Sequence, residues 1–294
     1  MTIRCFRRAY AAEIAEAGFD EAVTPFISAM PGVDPLKDRE LKGEEPEQSC
    51  CGKNIRLVPQ FIGKDPAVLA QCLAAVRGAG WGFADLNCGC PFPMVRNKGR
   101  GSGLLKNPKT LEAMLKAGCE TMGEGRFSVK TRLGVDSPGE LHALMDIFNA
   151  FPLRYLAVHA RTAKQMYGGE CDLDAFRRVL EAAKMPVIYN GDAQLFNLSA
   201  GDAQPFNFST FQPFNLHGTM YGRSFIRFLG AKKDSAESLK RYIDMSLEEL
   251  GHPSHVVGRI KELVAYWREL PVWRNRWPAV KISRSLDELR CAVG

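Results

Sequence analysis

Ala84-Asp85-Leu86-Asn87-Cys88-Gly89-Cys90-Pro91 is a short apolar run that ends in an amide, two thiols, a glycine and a proline. Gly89 and Pro91 forbid regular structure on either side of Cys90, so the run reads as a strand whose C-terminal end delivers a cysteine onto a loop. Downstream, Phe92 to Pro108 contains Arg96, Lys98, Arg100 and Lys106 with no acidic residue, and glycine at 99, 101 and 103. The expected structure there is a mobile, positively charged loop beside a thiol.

Outward from this strand the chain alternates. Upstream, Glu21 to Ile27 and Ile55 to Ile62 read as strands, and Asp65-Pro66 opens a helix over 67–78. Downstream, helices are expected over 109–121, 139–150 and 172–183, the second capped by Ser137-Pro138. Strands are expected over 127–131, 154–159, 186–190 and 218–221. Parallel strands joined by right-handed helical crossovers, without a reversal point, predict a (β/α)8 TIM-type barrel, α/β in class. Seven strands can be found, and a helix over 4–17 stands where the first of eight would be. From about Ala231 the alternation gives way to helices over 236–250, 256–267 and 286–291. The expected division is a barrel over 1–230 and a small α-helical domain over 231–294.

At 294 residues the chain is long enough for a barrel plus an appendage. Its net charge of +6 permits a polyanionic partner without requiring one. Nine cysteines, an odd number without C-x-x-C or zinc spacing, predict a reducing, cytoplasmic compartment and no metal site. No apolar run reaches membrane-spanning length, Glu13 and Glu16 interrupt any leader-like start, and nothing in the sequence calls for a protein partner. The helical tail holds 12 Lys or Arg against 9 Asp or Glu. Its arginines lie near Tyr266, Trp267, Trp273 and Trp277, which suits core tryptophans and a nucleic-acid face equally.

Polar residues or glycine stand where nearly every apolar run stops: Gln60, Asn87 with Cys90, Lys130, His159, Asn190 with Asp192, and Gly222 with Arg223. A barrel brings such ends to one face. Cys90 there can be a nucleophile with His159 as base, a metal ligand with Cys88, a general acid, or packing. The loops after the last two strands, Asn190-Gly191-Asp192 and Gly222-Arg223, suit a phosphate. With Gln60 and Lys130 they describe a site for flavin mononucleotide (FMN).

Asp85-Leu86-Asn87-Cys88-Gly89-Cys90-Pro91 with Gly101-Ser102-Gly103-Leu104-Leu105 resembles the D-x-N-x-G-C-P and G-x-x-L-L signature of tRNA-dihydrouridine synthases. The stretches 129–134, 158–162 with Tyr167 and Gly169, 187–192 and 220–223 are similar to that family's further motifs, in order. The resemblance implies NADPH- and FMN-dependent reduction of uridine in tRNA. By that resemblance Cys90 is the proton donor and Asn87 meets the uracil. Gln60, Lys130, His159, Asn190, Gly191, Asp192, Gly222 and Arg223 hold FMN, and Arg96, Lys98, Arg100 and Arg161 meet the RNA. The basic loop over 96–106 is expected to close over an extruded base. The family's opening strand is met only at Thr2, so the first barrel strand is expected to be missing and the reading frame truncated or wrongly delimited. A Q-x-F-N repeat over 192–217 stands in the place of the seventh crossover helix. The alternatives are a catalytically impaired tRNA-binding remnant and an FMN barrel acting on a free pyrimidine.

Overall fold

The computed structural model describes residues 3–46, 55–192 and 215–294. Thr2, the body of the Q-x-F-N repeat, Cys50 and Cys51 lie outside the described residues. The chain enters as α1 (Arg4–Ala9) and α2 (Ala11–Glu16), then β1 (Glu21–Val23), β2 (Ile27–Ser28), β3 (Arg56–Val58) and β4 (Gln60–Ile62). Next come α3 (Pro66–Gly78), β5 (Ala84–Asn87), α4 (Pro93–Arg96), α5 (Pro108–Met122) and β6 (Phe127–Gly134). They are followed by α6 (Glu140–Ala143), α7 (Met145–Asn149), β7 (Leu156–Thr162), α8 (Leu173–Ala182), β8 (Val187–Asn190) and β9 (Leu216–Met220). The C-terminal part is α9 (Arg223–Ala231), α10 (Ser235–Leu250), α11 (Pro253–Val264), α12 (Pro271–Arg274), α13 (Trp277–Ile282) and α14 (Leu286–Val293).

All seven expected strands are present, every pairing is parallel, and the main sheet runs β2-β4-β5-β6-β7-β8-β9. The first two are each broken once. β1 and β3 pair as a separate short ladder, because Pro25 and Pro59 carry no N–H to continue it. Thr24 bridges the break by accepting the Gln60 N–H at 3.0 Å.

The sheet is curled. In a flat sheet, strands four places apart are separated by about 19 Å. Yet Glu21 on β1 accepts the Tyr155 hydroxyl at 2.5 Å and pairs with Arg154 at 2.6 Å, both at the entry to β7. Two guanidiniums, from Arg56 and Arg154, lie over the Phe83 ring at 4.5 and 4.3 Å on this same end. β2 and β9 pair on one side only among the described residues. Phe19, just before β1, packs on Tyr221 and Phe225 beyond β9, with centroids 6.0 and 5.1 Å apart.

The crossover helices start where their caps dictate. Asp65 accepts the N–H of Ala67 and Val68, Asn107 that of Thr110 and Asp172 that of Ala175. The expected helix over 139–150 is instead split into α6 and α7 at Leu144. Its start is organised by Glu140, whose carboxylate gathers the N–H groups of Val135, Asp136 and Ser137, not by a Ser137 cap alone. The polar loop expected over 31–54 is pinned where it is described. Buried Arg7 pairs with Glu40 and Glu44, both at 3.1 Å.

α9, which the sequence reading passed over, is joined to the tail through two tryptophans. Trp267 donates to the Ile226 carbonyl at 2.5 Å, and Trp273 donates to Gly230 O at 3.0 Å. Both indoles are fully buried, and a Cβ on Gly230 would overlap the Trp267 ring. Trp267 and Trp273 are therefore core and not a nucleic-acid face. α1 and α2 lie on α10 through a Phe6–Tyr10–Tyr242 cluster and through Glu13, which accepts from Ser238 and Arg241. The helical tail and the N-terminal helices share one apolar core with the barrel.

Candidate active site

Side chains on a strand alternate between two faces. On β5 and β6 the odd and even sets separate by chemistry. Leu86, Val129 and Leu133 join the apolar core, whereas Asp85 and Asn87, then Ser128, Lys130 and Arg132, share the opposite face. His159 and Arg161 on β7 and Asn190 on β8 continue that polar face through the pairs Arg132–His159 and His159–Asn190. The site is thus a polar lining inside the sheet. Three of its members stand within their strands and not at the ends expected for them: Gln60 begins β4, and β6 and β7 run beyond Lys130 to Gly134 and beyond His159 to Thr162.

Cys90 is held from three sides. Its N–H and that of Gly89 both donate to Asn87 Oδ1, at 2.8 and 3.0 Å. Its carbonyl accepts from the Ser102 hydroxyl at 2.8 Å. The preceding carbonyl, of Gly89, accepts Arg132 Nε at 2.8 Å. Gly101, at φ +55°, lies so close that an added Cβ would fall 2.8 Å from the Cys90 Cβ and 3.0 Å from its carbonyl oxygen. Residues 101–105 are buried as a short 3-10 turn, so the loop expected to be mobile is built against the thiol over its second half. Its first half and the terminal Lys106 face outward. Lys98 is exposed, Arg96 and Arg100 are half-buried, and none of the three forms an ion pair among the described residues.

Cys90 is 6% exposed, and burial raises the pKa of its thiol, with a backbone hydrogen bond from Phe92 and then Arg132 and Lys130 pulling the other way. Desolvation wins, so the protonated thiol prevails at neutral pH. Burial and then the cations Lys130, Arg132, Arg161 and Arg223 push His159 down to about 2. Its Nε2 therefore accepts from Arg161 NH1, at 3.3 Å, and it makes no hydrogen bond to Cys90. A neutral imidazole of that kind is a poor base for a nucleophilic cysteine. Cys88 is completely buried, and no cluster of three His, Cys, Asp or Glu able to hold a metal occurs among the described residues. The seven described cysteines are free thiols.

Lys130 is half-buried, and desolvation with the neighbouring Arg132 lowers it to about 8, against the pull of Asp85 and Cys90. Among the described residues its ammonium donates no hydrogen bond. Arg132 is 2% exposed and reaches the carbonyls of Thr162 at 3.1 Å and Met166 at 2.6 Å in addition to Gly89. Arg161, expected to meet RNA, is 3% exposed. It donates to Gly168 O, Gly169 O, Asp192 and His159, which makes it a scaffold for the loop after β7.

Asn190 donates to Met220 O at 2.9 Å, tying β8 to β9. A Cβ on Gly191 would overlap the Tyr189 hydroxyl and lie 2.8 Å from Cys171 Sγ, which explains glycine there. A Cβ built on Gly222 would meet nothing within 4 Å, and the residue precedes α9, whose N-terminus has no side-chain cap. Arg223 is half-exposed and, with Arg132, flanks the Tyr167 ring, at 5.4 and 5.3 Å.

The sequence reading passed over Asp85, Ser128, Arg132 and Tyr167 as functional positions, although all but Ser128 stand inside motifs it quoted. The signal for Asp85, Ser128 and Arg132 is the i, i+2 spacing of polar residues on β5 and β6; Tyr167 lies in the loop after β7. Asp85 is completely buried and accepts from Gln60 Nε2 at 2.8 Å and the Ser128 hydroxyl at 2.7 Å. Burial raises its pKa to about 6, and those two hydrogen bonds oppose the shift. A carboxyl whose folded pKa exceeds its unfolded value binds its proton more tightly when folded. Its contribution to stability is complete below about pH 4 and is lost as pH rises through about 6. Asp85→Asn, which cannot ionise, is expected to remove that fall. Unfolding by urea should show it gaining on the order of 2–3 kcal/mol relative to wild type between pH 4 and pH 7.

A family model described as "Dihydrouridine synthase (Dus)" matches residues 2–204. "tRNA-dihydrouridine synthase B" of Vibrio cholerae is 30% identical over 210 residues, 66% of this chain and 65% of that protein. "tRNA-dihydrouridine(16) synthase" of Escherichia coli O157:H7 is 34% identical over 182 residues, 59% of this chain and 56% of its own. The chain therefore spans less than two thirds of the length of these relatives. Among solved structures, morphinone reductase aligns over 76% of this chain and 78% of its own at 12% identity, with a TM-score of 0.49. With a family match covering more than half of its residues, the chain belongs to the dihydrouridine synthase family.

Proposed function

We propose that the protein is a flavin-dependent oxidoreductase that reduces uridines of tRNA to 5,6-dihydrouridine, with FMN as cofactor and NADPH as reductant. The observation that carries this reading is the protonated, buried Cys90 thiol beside a Lys130 ammonium that has no hydrogen-bond partner among the described residues. The lining fits the cofactor. Lys130 offers a cation to an electron-rich ring edge. The open Gly222, the uncapped start of α9 and Arg223 offer N–H groups and charge to a phosphate. When bound, FMN supplies the hydride to C6 of the uracil.

The chain's own residues do the rest. Cys90 gives its proton at C5, and its raised pKa keeps that proton in place until it is needed. His159 stays neutral and Asn190 braces the floor between β8 and β9. The remaining Nε2 hydrogen of Gln60 is available to the cofactor. Arg96, Lys98 and Arg100, which form no ion pair among the described residues, and the exposed Arg268, Arg274, Lys281 and Arg284 of the tail meet the RNA phosphates. The barrel over 1–230 carries the chemistry and the helices over 231–294 orient the tRNA, in a cytoplasmic setting.

NADPH oxidation by the purified chain supplied with FMN tests the substrate class. It should be stimulated by unmodified tRNA, and the stimulation should fade as salt is raised. Stimulation by free uracil or dihydroorotate, with none by tRNA, would overturn the proposal in favour of a free pyrimidine substrate. Binding of tRNA without any turnover would make the chain an inactive tRNA-binding remnant.

A further inference from the structure

Two side-chain amides, a carboxylate and a hydroxyl form a chain of fixed polarity beneath Cys90. The backbone N–H groups of Gly89 and Cys90 can only donate, so Asn87 must turn Oδ1 toward them. Its Nδ2 then faces Gln60, whose Oε1 accepts at 2.8 Å. That orientation turns Gln60 Nε2 toward Asp85, whose Oδ1 accepts at 2.8 Å while Oδ2 takes the Ser128 hydroxyl at 2.7 Å. Each orientation is forced by the one before it, and reversing Gln60 or Asn87 would set donor against donor. All four side chains are buried on β4, β5 and β6.

We propose that Asp85 and Gln60 are positioning residues. Through Asn87 they fix the turn that presents the Cys90 thiol, although neither touches it. The inference rests on the reading of Cys90 as the working thiol, yet its test needs neither flavin nor tRNA. Because Cys90 is 6% exposed, alkylation requires its turn to open, so the labelling rate reports how firmly the turn is held. Gln60→Met keeps the shape and charge of the side chain but removes both links. Loss of one net hydrogen bond should raise the opening population, and with it the rate of iodoacetamide labelling at Cys90, about three- to tenfold. Labelling of the exposed Cys291 should not change.

The Asp85 variants separate positioning from mere packing. Asp85→Asn retains an acceptor for Gln60 and a partner for Ser128 and should label like wild type, whereas Asp85→Leu removes the acceptor and should label like Gln60→Met. Asn87→Ala should be as fast as Gln60→Met or faster, and combining the two should add little because they act in series. Peptide mapping by mass spectrometry supplies the rates. If Gln60→Met does not fold, hydrogen exchange at the Cys90 amide carries the same comparison, with protection kept in Asp85→Asn and lost in Asp85→Leu. Wild-type labelling in Gln60→Met, or equal protection in both Asp85 variants, overturns the inference. Because no turnover is measured, that failure is distinguishable from a failure to make dihydrouridine.

Discussion

Cys90→Ala is expected to lower dihydrouridine formation by about 10²–10⁴-fold, the usual contribution of a positioned proton donor, while leaving tRNA binding and thermal stability near wild type. The effect should be confined to chemistry because the holds on this position are backbone holds. Asn87 takes its N–H, Ser102 takes its carbonyl, and alanine retains the Cβ against which Gly101 packs. Only the sulfur is lost. A thiol whose pKa is raised by burial is suited to giving up a proton, and the cations Arg132 and Lys130 that would favour a thiolate are outweighed by desolvation. Activity should therefore decline on the alkaline side as the thiol ionises. Single-turnover rates and filter binding of tRNA, measured on the same preparations, separate the two effects. Equal loss of binding and turnover would mean that the substitution had disturbed the site as a whole.

Arg132→Met should be the most destabilising substitution in the site. The guanidinium joins three carbonyls from two segments: Gly89 beside the thiol, and Thr162 at the end of β7 with Met166 after it. Opposing these bonds is the cost of burying the charge, visible in a pKa lowered to about 10, first by desolvation. Removing the side chain relieves that cost but leaves the carbonyls unpaired. Charge-assisted bonds of about 1.5–3 kcal/mol each, offset by several kcal/mol of desolvation, leave a net loss of about 2–4 kcal/mol. For a chain of this size that corresponds to a lower Tm by roughly 3–7 °C. Arg132→Lys should recover less than half, since an ammonium lacks the planar fork that spans both segments. Calorimetry of the three proteins checks the order. A stable Arg132→Met would show that the two segments hold themselves.

Much of the fold is legible because punctuation and period agree. Asp65-Pro66, Asn107-Pro108 and Asp172 start helices through caps that the structure displays, and the seven strands stand where apolar runs were bounded by glycine, proline or amide. Other features depend on long-range partners. Nothing local says that Glu140 gathers three N–H groups, or that Arg7 draws Glu40 and Glu44 inward. Tryptophans beside arginines look alike whether they face RNA or a core, and only the carbonyls of Ile226 and Gly230 show that Trp267 and Trp273 are inside. The strand-end rule picks out Cys90, Asn87, Lys130 and His159, although β6 and β7 run on beyond the last two. It passed over Asp85 and Arg132 because they stand two residues away on the same face, where alternation and not termination is the signal.

The most direct measurement is mass spectrometry of unmodified tRNA after incubation with the chain, FMN and NADPH in deuterated solvent. Formation of dihydrouridine at discrete sites, with solvent deuterium at C5 delivered through Cys90 and hydrogen from NADPH at C6, is the expected result, and Cys90→Ala should not produce it. Unaltered uridine with saturating FMN, or product formed equally well by Cys90→Ala, would contradict the assignment of Cys90 as the proton donor of a working dihydrouridine synthase.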